Sequence, residues 1–184
     1  MTAFCNYRKS EIAGACLDYG PLLKDLLATT DDGFGRPIDG AQLLFAIAGV
    51  ESSFGANCEP RLEWAYLGGK YESNPIMQDL IAQYSEDAAK SYGPWQVMLC
   101  NAYGYSPREL GMRLDSACMA AVGFLRRYVL QAKRARTLDQ IADTYNSGNW
   151  KDKNVPAQYI ANLRLHYVSE VIARPLATPK GEQA

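Results

Sequence analysis

The stretch from Asp39 to Glu51 constrains the fold more than any other part of the chain. Asp39 is a favourable N-cap, and Ala41-Gln42-Leu43-Leu44-Phe45-Ala46-Ile47-Ala48-Gly49-Val50-Glu51 follows it, apolar on nearly every side. A helix of that kind has no face to show to water, so it is expected at the centre of the molecule with other elements packed around it. Its longest apolar run, Leu43 to Val50, falls far short of the ~20 residues a membrane span needs.

The rest of the chain offers helices to surround it. Ser10-Glu11-Ile12-Ala13 opens a helical pattern that Gly20-Pro21 breaks before Leu22 to Ala28 resumes. Thr30 to Pro37 is a loop by composition. Phe54 to Asn74 is irregular and rich in Gly, Pro and aromatic residues, and Asn74-Pro75 starts a helix lasting to about Lys90. Ser106-Pro107-Arg108-Glu109 and Thr137-Leu138-Asp139-Gln140 have capping-box spacing. Asp115 is expected to cap a long helix from Ser116 to about Arg134, with Met119, Val122, Leu125 and Val129 on one face. Gly148 gives a stop after Asn146, and Asn154-Val155-Pro156 starts a last helix that ends before Pro175. The expected fold class is mainly α, with at most a minor β element.

Composition narrows the function classes. The chain has 184 residues and is 48% hydrophobic, enough for one domain with a real core. A formal net charge of -1 gives no basic field of the kind that dominates nucleic-acid binding. The basic run Lys133, Arg134, Arg136 falls at an expected helix end, where cations complement the dipole. The five cysteines, Cys5, Cys16, Cys58, Cys100 and Cys118, are widely spaced and suggest buried thiols, with one bridge from Cys58 left open. With His166 as its only histidine, and no Gly-rich phosphate loop or nucleotide fingerprint, the chain implies neither a metal nor an organic cofactor. The N-terminus has no basic start followed by an apolar run, so a secretory signal is not evident.

Chemistry enters at Glu51. A carboxyl at the rim of a core helix is partly desolvated, which holds its proton toward neutral pH, as a glycosidic general acid requires. Helix ends also carry Glu for solubility, so this alone does not decide the matter.

Four segments, taken in order, resemble a family. Ala46-Ile47-Ala48-Gly49-Val50-Glu51-Ser52-Ser53-Phe54 resembles the first motif of soluble lytic transglycosylase domains, an apolar helix ending in Glu-Ser. Gly93-Pro94-Trp95-Gln96-Val97-Met98 is similar to their Gly-Leu-Met-Gln-Ile-Met segment, and Ala142-Asp143-Thr144-Tyr145-Asn146-Ser147-Gly148 to their Ala-x-x-Tyr-Asn-Ala-Gly segment. Tyr159-Ile160, Leu163 and Tyr167 resemble the closing Tyr-Val-x-x-Val pattern.

The resemblance implies a lysozyme-like helical domain with a substrate cleft, related to soluble lytic transglycosylases and goose-type lysozymes. It spans 41–174, with an insert at about 55–91, an N-terminal helical extension at 1–40 and a flexible tail at 175–184. It implies cleavage of the β-1,4 bond between N-acetylmuramic acid and N-acetylglucosamine in peptidoglycan strands. Glu51 would act first as acid and then as base on the sugar's own 6-hydroxyl, giving 1,6-anhydro products. Tyr145 would orient Glu51 through a phenol hydrogen bond, supported by Asn146. Ser52, Gln96, Met98 and Tyr159 would line the substrate site, and Trp95, with Pro94 a departure from the family's Leu-Met, would offer an indole for sugar stacking. The implied place of action is the periplasm or cell wall, reached from a phage-encoded origin or by another export route.

The spacer between Glu51 and Gly93 is longer than the family's usual one, and its carboxylates leave the reaction open. Hydrolysis by inversion needs a second carboxylate about 6.5–9.5 Å from the first, and Glu59, Glu63, Glu72 and Asp79 are candidates. That alternative is a goose-type muramidase or a chitinase-like hydrolase. A non-catalytic wall-binding or assembly module that kept the shape is the third reading. Trp64, Trp150 and His166 are read as structural residues.

Overall fold

A computed structural model of the chain describes residues 6–63, 73–102, 104–148, 151, 156–170 and 172. The chain is mainly helical, with a small three-stranded antiparallel sheet. At its centre lies the helix Gly40–Ser52 (α3), reached after Lys9–Tyr19 (α1), a 3-10 turn at Gly20–Leu23 and the short helix Lys24–Leu27 (α2). The Asp39 side chain caps α3 by accepting from the Gln42 amide at 2.8 Å. Leu43, Leu44, Phe45, Ala46, Ile47 and Ala48 are all buried, so the helix is enclosed on every side as its sequence demands. Its entry is tight: a Cβ on Gly20 would fall 2.3 Å from the Ala41 amide nitrogen, so the backbone can pass there only without a side chain.

The last helix, Ala157–Ser169 (α8), runs antiparallel along α3 and is tied to it at both ends. Near the start of α8 the Tyr159 hydroxyl donates to Glu51 Oε1 at 2.6 Å, and near its end the Tyr167 hydroxyl accepts from the Asp39 amide at 2.9 Å. On the other side α1 packs against α3 with Ile12 and Cys16 fully buried in the common core. The described part of the segment before residue 40, expected as a helical extension, thus contributes side chains to this core. Its Leu23 and Leu27 are buried there as well.

The expected insert holds a helix and the first strand of the sheet, and ends within the second. Arg61–Leu62 (β1) pairs with Lys90–Tyr92 (β2), which pairs with Val97–Met98 (β3), while Pro75–Tyr84 (α4) lies between β1 and β2 in sequence. The register sets Arg61 opposite Ser91 and Ser91 opposite Met98. Asn74 caps α4 through the Ile76 amide at 2.9 Å.

Pro107–Met112 (α5) begins with the full Ser106–Glu109 capping box. The long helix expected from Ser116 starts earlier and changes character midway: Leu114–Phe124 (α6) continues as a π-helix over Leu125–Ala132. Widening the turn keeps Leu125, Val129 and Leu130 in the core while directing Tyr128 elsewhere, as described below. Arg136 then donates to the Leu130 carbonyl at 3.2 Å, so the basic run does serve a helix end. Leu138–Ser147 (α7) carries the second capping box, at Thr137 and Gln140, and stops at Gly148 with φ +83°.

Cys58 is disulfide-bonded, whereas Cys16, Cys100 and Cys118 are free thiols. Among the described residues, no helix is long and apolar enough to cross a membrane. The expected tail at 175–184, and Trp64, Glu72 and Trp150, lie outside the described residues.

Candidate active site

Glu51 occupies the last turn of α3, where the chain leaves the core. Its exit is fixed by two consecutive non-glycine residues with positive φ, Ser53 at +51° and Phe54 at +56°. Such conformations cost of order 1–2 kcal/mol each and persist only when over-determined. Here Ser53 returns its amide to the Gly49 carbonyl at 3.1 Å and Phe54 its amide to Ala48 at 3.0 Å. The Phe54 ring then packs on Phe45 at 4.7 Å and edge-on against His166 at 5.1 Å. His166 is thus a packing residue of α8, and burial lowers its basicity.

The Glu51 side chain is 7% exposed. Burial pushes its carboxyl above the usual carboxylate range, and Glu63 adds to this; Tyr159 and Arg61 act against it. The negative end of the α3 dipole also disfavours a charge there. Tyr159 itself is held firmly protonated, by burial first and then by the neighbouring carboxylate, so its hydroxyl is a dependable donor.

On the opposite side of the carboxyl, Arg61 Nη2 stands 3.5 Å from Glu51 Oε2. The same guanidinium makes a closer contact with Glu63, Nε to Oε1 at 3.0 Å. The Ser91 hydroxyl lies 2.9 Å from both Glu63 Oε1 and Gln96 Oε1, with one proton to share between them. The resulting chain of groups, Tyr159–Glu51–Arg61–Glu63–Ser91–Gln96, joins α8 and α3 to the sheet. β1 delivers Arg61 to it, and Glu63 follows β1 directly.

A cleft of about 390 Å³ opens beside this chain. Arg61, Glu63, Gln96, Met98, Tyr145 and Asn146 line it, with Asn101, Phe124 and Tyr128 on a further wall. The Phe124 and Tyr128 rings stack at 5.4 Å, and the Tyr128 hydroxyl donates to the Gly148 carbonyl at 2.9 Å. The π-helix places Tyr128 there. Glu51 is not itself among the lining residues; Arg61, which contacts it, is.

Three expected roles are corrected by these positions. Tyr145 does not bond Glu51: its hydroxyl donates to the Trp95 carbonyl at 2.8 Å, and the phenol on Glu51 is that of Tyr159. Trp95 is not a stacking surface. It is fully buried, with its indole N–H donated to the Leu44 carbonyl at 2.8 Å, so it bolts the β2–β3 turn to α3. Ser52 faces inward, donating to the Ala48 carbonyl and accepting from the Gly55 amide, each at 2.9 Å. Gln96 does line the cleft, but much of its amide is spent internally, with Nε2 donating to the Gly93 carbonyl at 2.9 Å. That bond closes a turn in which Gln96 has φ +45°.

Of the candidate second carboxylates, Glu59 and Asp79 are exposed and absent from the cleft lining, while Glu63 faces the cleft and contacts Arg61. Arg61, Ser91 and the Phe124–Tyr128 pair had no motif to mark them. Their two-residue spacing puts Arg61 and Glu63 on one face only once the segment is known to be extended. Among the described residues no group of His, Cys, Asp and Glu is arranged to hold a metal ion. No family model, curated protein or solved structure matches this chain.

Proposed function

We propose that the protein is a lysozyme-like glycosidase that cleaves the β-1,4 bond between N-acetylmuramic acid and N-acetylglucosamine in peptidoglycan. The observation that carries this reading is Glu51: a buried carboxyl whose affinity for its proton is raised, oriented by the Tyr159 hydroxyl at 2.6 Å and in contact with Arg61, which lines the cleft. The order of the segments around Glu51, Gln96, Tyr145 and Tyr159 supports the same family. The protonated carboxyl would donate to the glycosidic oxygen as the bond breaks. The carboxylate left behind would then take the proton of the sugar's 6-hydroxyl as that oxygen attacks the anomeric carbon, closing a 1,6-anhydro ring. Met98, Asn146, Phe124 and Tyr128 would receive the glycan, the two stacked rings presenting an apolar surface suited to a sugar face. The site of action on this reading is the bacterial cell wall.

One observation favours a second reading, hydrolysis with Glu63 activating a water. Glu63 lines the cleft, is linked to Glu51 through one guanidinium, and takes both Arg61 and Ser91 on the same oxygen, Oε1. An inverting pair needs carboxylates about 6.5–9.5 Å apart, a gap that an intervening side chain suits. Mass spectrometry of products released from purified peptidoglycan separates the two. A 1,6-anhydro end is one water lighter than the reducing end that hydrolysis leaves. Glycan binding without any product, by the wild type and Glu51→Gln alike, is the outcome that fits a non-catalytic wall-binding module.

A further inference from the structure

Arg61 is the group through which the acid meets the cleft. It lines the cleft while Glu51 does not, and its guanidinium touches both carboxylates. The two contacts are unequal: 3.0 Å to Glu63 is a full hydrogen bond, whereas 3.5 Å to Glu51 is at the limit of one. Its side chain is 54% exposed, so it has room to move, and its backbone is pinned by the pairing of β1 with β2.

We infer that Arg61 is a latch on the acid, a positioning residue that favours the carboxylate form of Glu51 while it spans both carboxylates and ceases to do so when the guanidinium withdraws onto Glu63. The inference rests on the reading of Glu51 as proton donor and adds the control of its charge.

The physical basis is the conflict between what the acid needs and what the contact supplies. A cation within about 4–6 Å favours the carboxylate form, whereas a general acid must enter the reaction protonated. Among the described residues, the charged and titratable groups facing Glu51 are Tyr159 from α8, Tyr145 from α7, and Arg61 and Glu63 from the β1 segment. Of these, only Arg61 is a cation, and it is shared. Glu63 is therefore the counterweight. It competes for the guanidinium and repels a second negative charge at Glu51, and both effects favour the proton on Glu51. A substrate entering beside Arg61 displaces it from the weaker of its two contacts. The segment that carries Arg61 and Glu63 is the long spacer after Glu51, which acquires a purpose on this account.

The two variants move Glu51 in opposite directions. Arg61→Gln removes the cation, so Glu51 holds its proton to higher pH than in the wild type. Glu63→Gln frees the guanidinium to pair fully with Glu51 and removes the repelling charge, so Glu51 loses its proton at lower pH. The direct test is a titration of the folded protein, labelled with carbon-13 at its glutamate carboxyls and followed by NMR, with Glu51→Gln identifying the resonance. Arg61→Lys, which keeps the charge, is expected to titrate nearer the wild type than Arg61→Gln does. A Glu51 midpoint unmoved by Arg61→Gln, or shifted the same way by both neutral variants, overturns the latch. This readout needs no turnover, so a protein inactive on peptidoglycan would refute the glycosidase reading and leave the titration to be judged on its own.

Discussion

Two groups decide what Glu51 does, and they act through different means. Tyr159 gives one short hydrogen bond to Oε1, and removing it changes both orientation and charge. In Tyr159→Phe the carboxyl loses the donor that favours its ionised form, so the acid keeps its proton to higher pH and the basic limb of the pH–rate profile moves up. Loss of orientation should cost about ten- to a hundredfold in muropeptide release at the optimum. The burial of Glu51 also makes a stability prediction. A carboxyl whose folded-state affinity for its proton is raised binds more proton folded than unfolded, so its contribution falls as pH climbs through that range. Glu51→Gln, which cannot ionise, is therefore expected to melt at higher temperature than the wild type at neutral pH. The gain should vanish below the ordinary carboxylate range. A neutral-pH melting temperature equal to or below that of the wild type would contradict the raised affinity. At this scale the burial of Glu51 was legible, because a Glu ending an all-apolar helix sits where the core meets the surface. The choice between two tyrosines was not. Both are buried and both lie near Glu51, and only the packing of α7 against the β2–β3 turn commits Tyr145 to the Trp95 carbonyl.

Trp95 shows what elements add to residues. Its position in a cleft-like motif invited a sugar-stacking role, yet its ring fills the core between the β2–β3 turn and α3, and its backbone carbonyl anchors α7. Trp95→Phe loses the bond to Leu44 and leaves ring volume empty, which predicts about 1–3 kcal/mol lower stability in chemical denaturation. Glycan affinity should be nearly unchanged once the variant is folded; a large loss of affinity with unchanged stability would restore the stacking role. The helices themselves were largely legible, through Asp39, Asn74, the two capping boxes and Gly148, because caps are local chemistry. The sheet was not, since strands of two or three residues carry no period. Nor was the π-helix, whose apolar pattern over Leu125 to Leu130 resembles an α-helix that is merely displaced.

At the scale of the whole molecule, one buried helix organises the rest. α1 and α8 enclose it, the 3-10 turn at Gly20 abuts its entry, and the Trp95 indole bonds its Leu44 carbonyl, so α3 is packed on several sides. The sheet and the spacer then bring Arg61 and Glu63 to the Glu51 carboxyl, which is the arrangement a preorganised acid requires. The N-terminal segment belongs to this body because α1 supplies the wall against α3 that an all-apolar helix must have. The most direct measurement of the central claim is product analysis on purified peptidoglycan, comparing the wild type with Glu51→Gln. The wild type is expected to release soluble muropeptides ending in 1,6-anhydro sugars, and Glu51→Gln, folded and at least as stable at neutral pH, to release none. Release by Glu51→Gln at the wild-type rate, or no release by the folded wild type, would contradict that claim.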